Sequence, residues 1–482
     1  MNNIQFDFST SENIVILLGV FVSAFIFVLW SRNIGKGIST IEEYFLADKK
    51  VSDLSLHSTN IGTNITFTNI LIALSAFGYL YGVMSFWIVI FWVLGMFFFS
   101  YHFPKIAPFF KNGNTLHQYL GSAFKSEKLQ KVASIATIVA FIGTLALEIY
   151  GATYLVQKLG FDHGSLSVGV ASGLAIALIL YTTNGGYKAI LATDKVQLVM
   201  IVVCIGIVSY AFANLLNTVP ETTASLKNSF TLAAFTKDPI WIFSMFILFF
   251  PFQFCVMDMW QRCASINGNI PRVRKMLSFD SIGFIIAFSI PILIGLSLKD
   301  TSLITNEYDS FFYPLIQSLD FILTLVLFIG LVGIMFSTAD TLLLCSAYSF
   351  TYDCWLNSKT FDTKSQKEQN KLLASVKSWV VVFGFLSVVL ILVMNYISLN
   401  DLILAVFSAQ VVFFIPLLIA MFKPQYAAQK GKAAYYAIWV GIVTPIICVL
   451  AGQFIDIREL VDGAPILGFI FTLITIFVIK KN

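Results

Sequence analysis

Ser58-Thr59-Asn60-Ile61-Gly62-Thr63-Asn64-Ile65-Thr66-Phe67-Thr68-Asn69 sits inside an otherwise apolar run, and the rest of the architecture turns on what this stretch does. Its hydroxyl and amide side chains offer backbone groups partners other than the helical ones, and Gly62 with the β-branched threonines weakens the helix further. A helix broken near Gly62 to Ile65 is therefore predicted. The carbonyls of Gly62 and Ile65 would then be free to coordinate a cation, while Asn64, Thr66 and Asn69 face a solute. An unbroken polar helix tied to its neighbours by Thr and Asn hydrogen bonds fits the segment equally well, so the residues alone leave both readings open.

The surroundings place this run in a membrane. The 482 residues are 58% hydrophobic and only 12% charged, against roughly 45–50% apolar and about 25% charged in a soluble domain. Thirteen apolar runs are each about long enough to cross 30 Å of hydrocarbon as a helix. They cover residues 13–31, 52–76, 80–101, 132–156, 165–182, 196–217, 240–260, 279–298, 319–352, 376–397, 401–422, 434–453 and 463–479. No room remains for a large extramembrane domain, and the polar stretch 357–378 reads as a linker. The first run is preceded by Asp7 and Glu12 and followed by Arg32 and Lys36, the reverse of a signal peptide, so it is expected to stay as an anchor. With the N-terminus outside and the C-terminus in the cytoplasm, only Lys158, Lys227, Lys237, Lys299 and Arg458 of the 30 cations fall in outer loops. The positive-inside rule selects that orientation, and a cell membrane location is expected. A net charge of +4, not clustered, gives no nucleic-acid footprint. The six separated cysteines imply neither a disulfide framework nor a zinc site.

Polar groups inside apolar runs are expensive and point to function. In Ile334-Met335-Phe336-Ser337-Thr338-Ala339-Asp340-Thr341, the spacing puts Ser337, Asp340 and Thr341 on one helix face with Thr338 beside it. These are the hard oxygen donors an alkali ion prefers, which favours a cation site over the alternative that Ser and Thr merely back-bond to the i−4 carbonyl. Thr183-Asn184-Gly185-Gly186-Tyr187-Lys188 permits a tight reversal, after which Asp194 can reach inward from the start of a helix; a loop with an N-cap at Thr193 or Asp194 explains the same residues. Glu148 is a candidate for solute binding or proton handling, or a buried paired acid. Pro251 marks a second break or a simple kink, with Gln253 beside it, and Gln410 either binds solute or bridges helices. The histidines, near the ends of runs, receive no chemistry. Arg262 counts among the cytoplasmic cations, which leaves no intramembrane Arg or Lys to clamp a carboxylate. Nucleotide-binding loops and hydrolase or metalloprotease signatures are absent, so the chain reads as a gradient-driven carrier and not an enzyme.

Four segments resemble the sodium/solute symporters. They are Glu42-Glu43-Tyr44-Phe45-Leu46-Ala47; Asn64-Ile65-Thr66; Gly185-Gly186-Tyr187-Lys188-Ala189 with Thr193-Asp194 and Gln197; and Ser337-Thr338 with Ser346 and Asp353. The resemblance implies an all-α membrane protein of the leucine-transporter type, with two inverted five-helix repeats and discontinuous helices. One transmembrane domain would fill 1–482, with the first repeat over 52–217, the second over 240–422, and peripheral helices at 13–31 and 434–479. It implies a main Na⁺ site from the backbone oxygens of Gly62, Ile65 and Ile334 and the hydroxyls of Ser337 and Thr338. A second Na⁺ site, found in some members, would use Asp194, Ser337, Asp340 and Thr341; Asp340 stands where such members carry a hydroxyl. Asn64, Thr66 and Asn69 match solute-facing positions, and Glu148, Gln253 and Gln410 complete the candidate solute set. The third run (Trp87, Ile88, Val89, Ile90) lacks the acid that sugar carriers place there, which argues against a sugar. The implied activity is Na⁺-coupled symport of a small organic solute by alternating access, with the bilayer as surroundings and no obligate protein partner. The competing readings are a proton-coupled carrier through Glu148, Asp194 and Asp340, and a transporter-like membrane sensor.

Overall fold

The computed structural model describes residues 9–158, 165–299, 301–304, 313–355, 366–394 and 399–480. The principal helices are α1 (Thr10–Gly35), α2 (Asp53–Asn64), α3 (Leu74–Tyr81), α4 (Phe86–His102), α5 (Glu127–Lys158), α6 (Ser165–Thr218), α7 (Pro239–Phe249) and α8 (Met257–Ala264). They continue with α9 (Ile270–Leu298), α10 (Phe321–Ser349), α11 (Gln366–Met394), α12 (Leu399–Val411), α13 (Phe414–Phe422), α14 (Gly431–Phe454) and α15 (Ala464–Val478).

Ten stretches among the described residues are long and apolar enough to cross a membrane, fewer than the thirteen expected. The difference has physical causes. The second expected run is broken after Asn64, and α15 is only 15 residues long. α6 runs through two expected spans, which part at Gly186. Its backbone there has φ 51° and ψ −153°, and a Cβ would meet the ring and carbonyl of Tyr44, so only glycine makes this reversal. The expected linker 357–378 is shorter than read: residues 356–365 lie outside the described residues, but helix α11 already starts at Gln366. Its Lys, Gln, Glu and Leu residues are good helix formers even outside lipid.

α10 is the centre of the bundle. From Gly330 to Ser349 every residue is buried, and the helix packs against α1, α2, α5, α6, α8 and α11. α1 lies at the edge, with Leu18 and Phe25 exposed as befits a lipid-facing helix. α14 and α15 pack on each other away from this centre.

Candidate functional site

The second run is a broken helix. α2 ends at Asn64, Ile65 is extended (φ −92°, ψ 92°), and its N–H still closes on the Ile61 carbonyl at 2.9 Å. The chain then resumes as a wide helical turn over Phe67–Ala73 before α3. The N–H groups of Phe67 and Thr68 that open this second half donate to the Glu148 carboxylate of α5 at 3.2 and 3.4 Å. A carboxylate at a helix N-terminus both accepts those orphan donors and suits the dipole, which is how an interrupted backbone survives away from water.

A second break lies opposite. α7 stops at Phe249, Pro251 opens a single turn over Phe252–Cys255, and Val256 is extended (φ −86°, ψ 137°) before α8. Pro251 therefore marks an interruption and not merely a kink. Gln253 ties the two breaks together, its amide donating to Asn64 Oδ1 at 2.9 Å, while Asn64 Nδ2 donates to the Asn60 carbonyl at 2.8 Å.

α10 runs unbroken past the first interruption. The Thr338 hydroxyl lies 3.4 Å from the Gly62 carbonyl and 3.2 Å from that of Thr63, and Thr63 and Thr341 pair through their hydroxyls at 3.2 Å. The Ser337 hydroxyl donates to Asp194 Oδ1 of α6 at 2.7 Å, and the Thr341 hydroxyl donates to Asp340 Oδ1 at 3.2 Å. The Tyr181 hydroxyl pairs with Thr193 and lies near Asp340. All four residues expected at the second ion site are thus gathered where α6 faces α10, each at most 1% exposed. Asp194 Oδ2 and Asp340 Oδ2 are buried and accept no hydrogen bond among the described residues. Buried carboxylate oxygens of this kind call for a cation or a proton. Of the main site, Gly62, Ser337 and Thr338 come together, Ile65 stands at the break, and Ile334 lies one turn before Thr338 on α10.

Between the two breaks is a cavity of about 50 Å³. Asn64, Thr66 and Gln410 line it, as expected, and the Gln410 amide donates to the Thr144 hydroxyl at 3.0 Å. Gln253 and Glu148 are not among its lining residues; Gln253 braces the two breaks and Glu148 caps a half-helix. The side chain of Asn69 lies outside the described residues.

The sequence reading missed the charged pair at this site. Arg262, counted as a cytoplasmic cation, is 1% exposed. It contacts Asp258 at 2.5 Å and donates to the Thr59 carbonyl at 2.8 Å and the Thr63 hydroxyl at 2.6 Å. Asp258 itself lines the cavity. The available signal was the four-residue spacing of an acid and an arginine at the end of an apolar run, which places them on one helix face. Two histidines also have chemistry: His57 Nδ1 lies 2.6 Å from buried Asp280, and His117 Nδ1 lies 2.8 Å from buried Asp353.

Residues 44–441 match the model of the sodium:solute symporter family. Among curated proteins, the chain is 27% identical over 185 residues to the sodium/pantothenate symporter of Escherichia coli, covering 36% of each chain. It is 28% identical over 198 residues to the human sodium/glucose cotransporter 4, covering 38% of this chain and 27% of that one. The matched stretches thus span about a third of those relatives' lengths. Among solved structures, a Na⁺-coupled sialic acid symporter in a substrate-bound, outward-open state superposes with a TM-score of 0.72 at 15% identity, over 98% of this chain and 99% of that one. A nucleobase-cation-symport-1 family transporter, closed on bromovinylhydantoin, gives a TM-score of 0.52 at 10% identity, over 90% and 94%. The neighbours have the leucine-transporter fold, and the two interrupted helices around α10 show that this chain shares it. With the family model matching most of its length, the chain belongs to the sodium:solute symporter family.

Proposed function

We propose that the chain is a Na⁺-coupled symporter that carries a small organic solute into the cell by alternating access. The observation that carries this reading is the meeting of the Gly62 and Thr63 carbonyls, at the end of a broken helix, with the Thr338 hydroxyl of an unbroken one. A Na⁺ ion held by the Gly62, Ile65 and Ile334 carbonyls with the Ser337 and Thr338 hydroxyls would tie α2 to α10. Because Asn64 lies between Gly62 and Ile65 and lines the cavity, ion binding would order one wall of the solute site. That coupling is reciprocal: solute would tighten Na⁺ binding by the same factor. Asp194, Ser337, Asp340 and Thr341 form a second candidate Na⁺ site, supported by the two carboxylate oxygens left without hydrogen bonds.

The repeats would be 52–217 and 240–422, with α1 and the pair α14 and α15 as periphery. The distribution of Lys and Arg supports an N-terminus outside and a C-terminus in the cytoplasm, in the cell membrane. Inward movement of each Na⁺ gains about 2.3 kcal/mol per 100 mV, enough for roughly fifty-fold accumulation of a neutral solute. In proteoliposomes, an inward Na⁺ gradient should drive uptake of labelled solute, and Ser337→Ala with Thr338→Ala should abolish that dependence. Uptake that responds equally to Na⁺ and K⁺ gradients would overturn the proposal.

A further inference from the structure

Three features of the cavity bear on the charge of what it holds. The N-terminal end of the second half of the broken helix, the natural seat for a solute carboxylate, is already taken by Glu148 through the N–H groups of Phe67 and Thr68. The guanidinium of Arg262 is committed to Asp258, the Thr59 carbonyl and the Thr63 hydroxyl, and it does not line the cavity. Among the described lining residues Asp258 is the one charged side chain. Arg262 meets its Oδ2, and a carboxylate has acceptor capacity for more than one donor.

The rest of the wall is rich in rings. Trp92 stacks on Phe252 at 4.9 Å and meets Phe288 edge-on at 5.1 Å, and Phe252 lies 5.1 Å from Phe407. An anionic solute would face Asp258, and the described lining residues include no cation. A polyol would find partners in Asn64, Thr66 and Gln410 but would leave the hydroxyls that face the rings against carbon. A cation finds a carboxylate on one side and the negative faces of aromatic rings on the other.

Building on the transport reading, we propose that the solute is a small organic cation, an ammonium group on an apolar body without a carboxylate. The ammonium group faces Asp258, and the Trp92, Phe252 and Phe407 wall covers the apolar part. The test is thermal unfolding of the purified full chain in NaCl and in KCl with five probes: phenethylamine, choline, phenylalanine, phenylacetate and glucose. At least one of the two carboxylate-free cations should raise the midpoint by about 3 °C in NaCl and by less in KCl, since a coupled ligand stabilises more when sodium is bound. Asp258→Asn combined with Arg262→Met, which removes both charges of the buried pair, should lose that shift yet keep the one produced by NaCl alone, which also shows that the variant is folded. A sodium-dependent shift with phenylalanine, phenylacetate or glucose, or none with either cation, overturns the proposal. Stabilisation by NaCl over KCl without any probe tests the sodium site separately, so the two readings fail independently.

Discussion

Replacing Gly62 by alanine should weaken Na⁺ binding, although Gly→Ala inside a helix ordinarily stabilises it by roughly 0.5–1 kcal/mol. A Cβ on Gly62 would run into the Ser337 hydroxyl while lying 3.4 Å from Ser337 Cβ and 3.5 Å from Asp194 Oδ1. The serine can yield only by rotating its hydroxyl away, which breaks the 2.7 Å bond to Asp194 and withdraws one of the two hydroxyls proposed for the main site. A hydrogen bond to a charged group is worth about 1.5–3 kcal/mol. Losing that hydroxyl as a ligand by about 1.4 kcal/mol or more should raise the Na⁺ concentration for half-saturation roughly tenfold or more. The assay is a Na⁺ titration of the unfolding midpoint for wild type, Gly62→Ala, Ser337→Ala and the double variant. If the methyl acts through Ser337, the double variant binds Na⁺ no worse than Ser337→Ala alone. Unchanged affinity in Gly62→Ala, or effects that simply add, would refute the reasoning.

Other substitutions probe the supports of the site. Glu148→Ala strips the acceptor from two buried N–H groups and should cost about 2–5 kcal/mol of stability, whereas Glu148→Gln keeps an acceptor and should cost clearly less in a thermal scan. Arg262→Met leaves Asp258 buried without its partner, a loss of about 3–5 kcal/mol, and adding Asp258→Asn should recover most of it. On the face read as cytoplasmic, burial tends to raise the Glu43 carboxyl, but the Lys188 ammonium at 2.5 Å and the Ser39 N–H outweigh it and hold it below its ordinary value of 4.5. The ion pair therefore stabilises above pH 4.5, by about 1 kcal/mol or less. The difference in unfolding midpoint between wild type and Glu43→Gln should close as pH falls below that value, through the lowered pKa of the folded state.

The fold was legible where local chemistry dictates it. The run around Asn64 breaks because its side chains compete for the backbone, Gly186 turns because its φ excludes other residues, and Pro251 interrupts because it lacks an N–H. The set Asp194, Ser337, Asp340 and Thr341 was half legible: one-face spacing grouped the three residues of α10, but only the fold brings Asp194 across from α6. Arg262 was misplaced because a residue near the end of an apolar run looks like a loop cation. Its burial depends on Thr59 and Thr63, about 200 positions earlier in the chain. Glu148 shows the same limit. An intramembrane acid announces that something must satisfy it, but not that two backbone N–H groups of another helix will.

The account rests on Na⁺ bridging the end of α2 and the middle of α10, and equilibrium binding of radioactive ²²Na⁺ to the purified chain tests it most directly. Saturable binding should be present in the wild type and weakened at least tenfold in Ser337→Ala with Thr338→Ala, in protein whose unfolding remains cooperative. Equal binding by the two proteins would contradict the account.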